Sequence, residues 1–388
     1  MSKDHLTLSA LLLAALLPTL SACDDTEDVR AIPIPPQRDT TVELTLIAAG
    51  DNLIHGPIFR QAAERATDGG FDFTAAYQPI ADYIADADLA FINQETPLGG
   101  TALGLRSYPM FNSPQELGTH LVHMGFNLIS HANNHVLDAG SKGFANTISY
   151  WRAQPDAVMA GIAADAADDT IRTLECAGLD VALLAYTYGT NGLSLPSSSQ
   201  GIIKHINDDL ICSELAAANE IADIVIVSMH WGMEYQDEPN AEQRRLAQMA
   251  ADNGADIIIG THPHVIQTAE VLQTADGRSV PVFYSLGNLI SAQNKPETML
   301  GALAELEFTY DTADDSITYD DIDIIPVVNH FTGHYDNITV YPLAEYTDEQ
   351  AAAHGVSSIS TDYLHRLYAE RIPQEYHPDE SAPDPAVE

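Results

Sequence analysis

The sequence predicts an α/β domain whose sheets are covered by helices. Three observations predict it. From Val42 onward, apolar runs of strand length alternate with stretches of helical pattern. The runs, such as LAFIN (89–93) and IVIVSM (224–229), are apolar at successive positions, as strands buried on both faces are. Hairpin signals and a β-rich last third then predict that a second sheet packs on the first. At 388 residues and 45% hydrophobic content, the chain is long enough for one large domain or two smaller ones.

Taken in order, residues 42–50 (VELTLIAAG) form the first predicted strand and 74–84 a helix. Residues 89–93 are a second buried strand. PQELGTHLVHM (114–124) reads as a helix with Ser113 as N-cap, because a serine hydroxyl can accept from an unpaired first-turn N–H. A third strand follows at 126–130 and a helix at 143–154. Residues 170–186 read as two strands joined at Gly178-Leu179-Asp180. A helix at 208–222 leads to a strand at 224–229, and a helix at 239–253 to a strand at 256–260. Residues 267–286 read as strand, turn, strand, with Asp276-Gly277 as the turn. A late helix spans 360–371. The predicted organisation is a signal segment at 1–22, a tether at 23–41, the main domain at 42–346, and a C-terminal helix with an acidic tail at 347–388.

Charge narrows the partners. The formal net charge is -40, and Lys3, Lys142, Lys204 and Lys295 are the only lysines. Such a surface repels nucleic acid and anionic lipid headgroups, and both are set aside as partners. The N-terminus carries LTLSALLLAALL, an apolar run too short to span a bilayer comfortably and shaped like a secretory signal. It ends in Leu20-Ser21-Ala22-Cys23, which resembles a bacterial lipobox. That resemblance implies an exported protein, cut before Cys23 and held to the outer or periplasmic face of the membrane by lipid on it. DDTEDVRAIPIPPQRDT (24–40) then reads as an extended tether. Cys176 and Cys212 remain, either as a disulfide or as two small buried residues.

Five apolar strands each end in a polar cluster. The first ends in Asp51, Asn52 and His55, the second in Asn93, Gln94 and Glu95, and the third in SHANNHVLDAG (130–140), which holds His131, Asn133, Asn134, His135 and Asp138. The fourth ends in His230-Trp231-Gly232 and the fifth in Gly260-Thr261-His262-Pro263-His264. Ligand sites of α/β sheets lie beyond the carboxyl ends of the strands, so the five clusters are expected on one rim. Asp, Glu, Asn and His without Cys suit a divalent ion such as Mn, Fe or Zn. In an extended segment residues two apart face one side, so His262 and His264 are expected to reach one site together. A bridging carboxylate such as Glu95 can hold two ions roughly 3.5–4 Å apart.

In order, GDNLIH, NQETPL, SHANNHVLDAG, MHWGMEY, GTHPHV and YSLGNLIS resemble the motif series of the CapA family, the poly-γ-glutamate capsule-synthesis proteins of the calcineurin-like metallophosphatase superfamily. The resemblance implies a four-layer α/β/β/α sandwich with a β-rich C-terminal extension. It also implies an exported, membrane-anchored protein of cell-surface polymer assembly. By position it implies Asp51, Glu95, Asn134, His230, His262 and His264 as metal ligands, with His135 near the scissile group. Two departures stand out: His55 lies four residues after Asp51 where the motif has a histidine two residues on, and Glu95 replaces a shorter aspartate.

The expected chemistry is hydrolysis assisted by two divalent ions, with His135 as proton donor and Asp138 orienting it. His55, Asn93, Asn133, Trp231, Tyr284 and Asn288 are the expected pocket residues. The expected partners are a cell-surface polymer or its precursor and membrane synthase proteins. Two other readings stand beside it: a non-catalytic scaffold that binds polymer or synthase, and a periplasmic phosphodiesterase or nucleotidase.

Overall fold

The computed structural model describes residues 40–378. The predicted signal segment, the lipid-bearing Cys23, nearly all of the tether and the end of the acidic tail lie outside the described residues.

Two sheets face each other. The first has eight strands. Its centre is Thr41–Asn52, flanked in parallel by Leu89–Gln94 and then by Leu128–Ser130 and Val158–Ala160. On the other side Leu300–Asp311, Ser316–Thr332 and Asp336–Pro342 add antiparallel strands. The short strand Asn288–Ile290 pairs in parallel with the end of Thr41–Asn52. The second sheet has six strands. Leu179–Thr187, Ile224–His230 and Ile257–Thr261 run parallel in its middle. The hairpins Thr173–Cys176/Leu179–Thr187 and Ala269–Gln273/Ser279–Phe283 supply its edges.

Alternation along the second-sheet strands builds the layers. Val181, Leu183, Ile226 and Ile259 join Leu46, Ala48, Phe91 and Leu306 in one large core. Their neighbours Ala182, Leu184, Val227 and Ile258 pack instead with Ile211 and Leu215 of helix Asp208–Ala218 and Leu246 and Ala250 of helix Ala241–Asp252. Phe59, Leu117, Leu121, Phe144 and Ile148, from helices beside the first sheet, belong to the large core. The order is helices, sheet, sheet, helices, as the motif series implied. Strands with both faces covered explain the unbroken apolar runs.

Several expectations need correction. Only part of the β-rich last third builds the second sheet: Ala269–Gln273 and Ser279–Phe283 join it, while Leu300–Asp311, Ser316–Thr332 and Asp336–Pro342 widen the first. Helix Thr361–Arg371 buries Leu364, Leu367 and Tyr368 in the large core, so residues 347–378 belong to the same body and are not an appendage. The helix expected at 74–84 is three short pieces, Thr74–Tyr77, Gln78–Ile80 and Ala81–Ala85, because Pro79 offers no N–H for a continuous ladder. Ser113 caps nothing: its hydroxyl lies 2.7 Å from that of Thr96, and the helix starts later, at Glu116–Met124. A helix at Gly56–Arg65, with Pro57 in its first turn, went unpredicted. The 170–186 hairpin turns earlier than expected, at Ala177 and Gly178, both with positive φ. Cys176 and Cys212 are free.

Thr41–Asn52 carries an irregularity between Ala49 and Asp51. A bulge re-aims the side chain beside it. Gly50 occupies it, and a Cβ there would meet the carbonyl oxygen of Gly287, the same oxygen that accepts from the Asp51 N–H at 2.8 Å. Gly50→Ala should therefore cost about 1–3 kcal/mol through overpacking, read as a lower urea midpoint; an unchanged midpoint would show that this strand end is not tightly fixed.

Candidate metal centre

The five strand ends do converge, but from two sheets and not one. Asp51, Asn93 and Ser130 end first-sheet strands, while His230 and Thr261 end second-sheet strands. The seam is closed by the backbone. The N–H of His262 donates to both oxygens of Asp51 at 3.3 Å.

Asp51 is fully buried and well partnered. Asn93 Nδ2 donates to its Oδ1 at 2.8 Å, and His264 Nδ1 lies 3.0 Å from its Oδ2. Glu95 is equally buried, yet neither of its carboxylate oxygens has a hydrogen-bond partner. Its Oε1 is 3.9 Å from His230 Nε2 and 3.8 Å from His264 Nε2. Both distances exceed a hydrogen bond. They suit ligands that share an ion through bonds of about 2.0–2.2 Å. An unpaired buried carboxylate is costly. Burial, then the nearby Asp51 carboxylate, push the Glu95 carboxyl well above its ordinary value. Burial lowers His264, but Glu95 and Asp51 outweigh it and hold the imidazole at about 9.

The ligand atoms of Asp51, Glu95 and His264 lie within 4.8 Å of one another. Together with the orphaned Glu95 oxygens, this donor set fits a divalent cation. His230 and Asn134 extend it: His230 Nε2 is 3.0 Å from Asn134 Oδ1, while Thr261 Oγ1 fixes the other ring nitrogen at 2.9 Å. Burial drives His230 well below its ordinary value, and His262 to about 3, so both rings are neutral, the form in which imidazole binds a metal.

His262 and His264 reach this site by a different route from the one expected. The segment is not extended. Both residues have positive φ, 98° and 60°, on either side of Pro263. Such conformations cost about 1–3 kcal/mol each in non-glycine residues and cluster at functional sites.

Next to these residues is a cavity of about 240 Å³, lined by Leu53, His55, Phe111, His135, Tyr235 and His264 among others. His135 Nδ1 is 2.7 Å from Asp138 Oδ2. An ionised carboxylate only accepts, so Nδ1 carries the hydrogen and Nε2 is the nitrogen left for the cavity. Asp138 Oδ2 also accepts from the Phe111 N–H at 2.9 Å. That fixes Asp138 as a partner of His135 and not as a helix cap. Phe111 stands edge-on to both His135 and His55.

Of the six expected pocket residues, only His55 lines the cavity. Asn93 and Asn133 are buried braces: Asn133 accepts from the His135 N–H and donates to the Gln94 carbonyl. Asn288 holds His264 Nδ1 at 3.0 Å. Trp231 and Tyr284 stack in the core on the helix side of the second sheet, where Trp231 Nε1 donates to the Tyr284 carbonyl. Residues following a strand alternate sides, which sends Trp231 away from His230. His131 is internal too, accepting from Trp151 Nε1 at 2.7 Å. Sequence reasoning missed Phe111, Tyr188, Glu234, Tyr235 and Lys295. Tyr188 packs on His230 and His262, and Glu234, Tyr235 and Lys295 line the cavity. Glu234 and Tyr235 sat in view within MHWGMEY; nothing in the sequence marked Phe111 or Tyr188.

The sequence matches the family model of the bacterial capsule synthesis protein PGA_cap over residues 45–293. The chain belongs to this family. The match covers every candidate metal residue. Two relatives are the PGA biosynthesis protein CapA of Bacillus subtilis (strain 168), 29% identical over 264 residues, and the capsule biosynthesis protein CapA of Bacillus anthracis, 27% identical over 282. The alignments cover 66% and 70% of this chain. The chain spans 65% of the length of each relative. Among solved structures, a novel phosphatase from Mycoplasma pneumoniae is similar with a TM-score of 0.46 and 14% identity, over 74% of this chain and 94% of that one.

Without metal, Glu95 is a liability. Its carboxyl is raised above the ordinary 4.5, so the fold retains a proton that the unfolded chain releases. Stability is then lost as pH rises above 4.5. In chelator at pH 8, Glu95→Gln should be more stable than wild type by about 1–3 kcal/mol, read from urea midpoints. A less stable variant would contradict this account of the buried charge.

Proposed function

We propose that this capsule-family protein is a metal-dependent hydrolase of the metallophosphatase type, acting on a cell-surface polymer such as poly-γ-glutamate or on its precursor. One observation carries the reading. Glu95, buried with both oxygens unpartnered, lies among Asp51, His230 and His264, beside a cavity that also presents the His135–Asp138 pair. Asp51, Glu95, Asn134, His230, His262 and His264 are the residues that would hold divalent ions, two in this reading. Such ions supply Lewis-acid polarisation and charge neutralisation.

The chain's own side chains have separate tasks. Asp138 keeps a hydrogen on His135 Nδ1 and steadies the protonated ring, so Nε2 can pass a proton to a leaving group. Phe111 shields that pair from water. Lys295 is the one lysine or arginine among the described residues lining the cavity. In a protein of net charge -40, it offsets the local carboxylates and favours an anionic group on the substrate. Residues 1–22 would direct export, lipid on Cys23 would anchor the protein, and membrane synthase partners would present the polymer. Among the described residues no helix is long and apolar enough to cross a membrane.

The test uses the full chain supplied with Mn, assayed on bis(p-nitrophenyl) phosphate and on a γ-linked glutamyl peptide. Hydrolysis of one of them is expected, and His135→Ala should lower kcat by about 10²–10⁴ with bound metal unchanged. Absence of hydrolysis, or equal rates in both proteins, would sink the hydrolase reading in favour of a polymer-binding scaffold. In cells, fatty-acid label present on the wild type and lost in Cys23→Ala supports the anchor; label on both or on neither removes it.

A further inference from the structure

A carboxylate outside the strand-end series also points at this centre. Glu234 lies in the loop after His230, is exposed, and lines the cavity. Its ligand atom and those of His262 and His264 lie within 4.8 Å of one another. His262 is only 3% exposed, and its Nδ1 is buried without a hydrogen-bond partner. An unpartnered buried ring nitrogen is a cost unless something binds it. Glu234 forms no ion pair among the described residues. Lys295, the one lysine or arginine on the cavity wall among the described residues, sits over the Tyr235 ring at 3.1 Å from its centroid.

The loop is pinned in place. The Tyr235 N–H donates to the Pro263 carbonyl at 2.8 Å, tying the residue after Glu234 to the one between the two histidines. Tyr235, His262 and His264 all have positive φ, at 66°, 98° and 60°. A free surface glutamate has no need of such an anchorage. A side chain that must be presented to two buried imidazoles does.

We propose that Glu234 is a metal ligand and forms, with His262 and His264, a solvent-facing divalent-cation position at the mouth of the buried centre. The proposal rests on the reading that the centre holds metal. His264 belongs to both ligand groups, and its Nδ1 is already engaged by Asp51 and Asn288. That leaves Nε2 alone to bind, one ion at a time, so the outer and inner positions exchange through this ring, and an ion entering from solvent meets Glu234 first.

Titration of the full chain with Mn alone, with free Mn counted by its electron paramagnetic resonance signal, tests this without any substrate. Loss of a partner that only orients a metal ligand typically costs 10–100-fold in metal affinity, so Glu234→Gln should weaken at least one class of bound Mn by about 10-fold or more, and Glu234→Asp should restore part of it. Urea midpoints in chelator should match the wild type, because the side chain is exposed. Superimposable isotherms for wild type and Glu234→Gln would overturn the role of Glu234 while leaving the metal centre standing, provided His264→Ala still loses Mn. A wild type that binds no Mn would overturn both.

Discussion

Asp51 and Glu95 are wholly buried where the two sheets meet, and the surroundings are arranged around that charge. A carboxylate removed from water needs several kcal/mol of compensation. Asp51 receives it from Asn93, from the His262 backbone and from His264. Glu95 receives no hydrogen bond from the protein, only the field of His264, and its oxygens stand between His230 and His264 at distances too long for hydrogen bonds. The asymmetry locates the missing positive charge. It also explains why three imidazoles crowd together, with His262 4.8 Å from His230 and 6.0 Å from His264 between ring centroids. His230 and His262 are neutral, which lets them lie close to His264, and a cation gives the three rings a common target.

The architecture serves this seam. Parallel strands deliver Asp51 and Glu95 from one sheet and His230 from the other. Helices back both sheets. The braces come from neighbouring strands at matched register. Asn93 and Asn288 are the cross-strand partners of Asp51 on its two sides, and each contacts a candidate ligand. The amides expected in the cavity thus turn out to position the ligands, which is why they need no solvent exposure.

Much of this was legible in the sequence because buried strands and their polar ends follow from local pattern. Asp51, Glu95, Asn134, His135, His230, His262 and His264 were all visible as strand-end residues. Two things were not. The assignment of strands to sheets depends on contacts distant in sequence, so the β character beyond residue 300 was legible but its place in the first sheet was not. Side-chain direction beyond a strand end depends on backbone detail: His262 and His264 converge through left-handed conformations that no spacing rule anticipates, and Trp231 points into the core beside the correctly placed His230. Glu234 and Lys295 were passed over because a loop charge in a strongly acidic chain is ordinary until its neighbours are known.

The central claim is that a cation completes the Glu95 environment. The most direct measurement is anomalous diffraction at the Mn edge from crystals of the full chain grown with Mn. The account predicts a peak about 2.0–2.3 Å from a Glu95 carboxylate oxygen, with His264 or His230 as a co-ligand. Density showing no peak there, with both Glu95 oxygens hydrogen-bonded to protein or water instead, would contradict it.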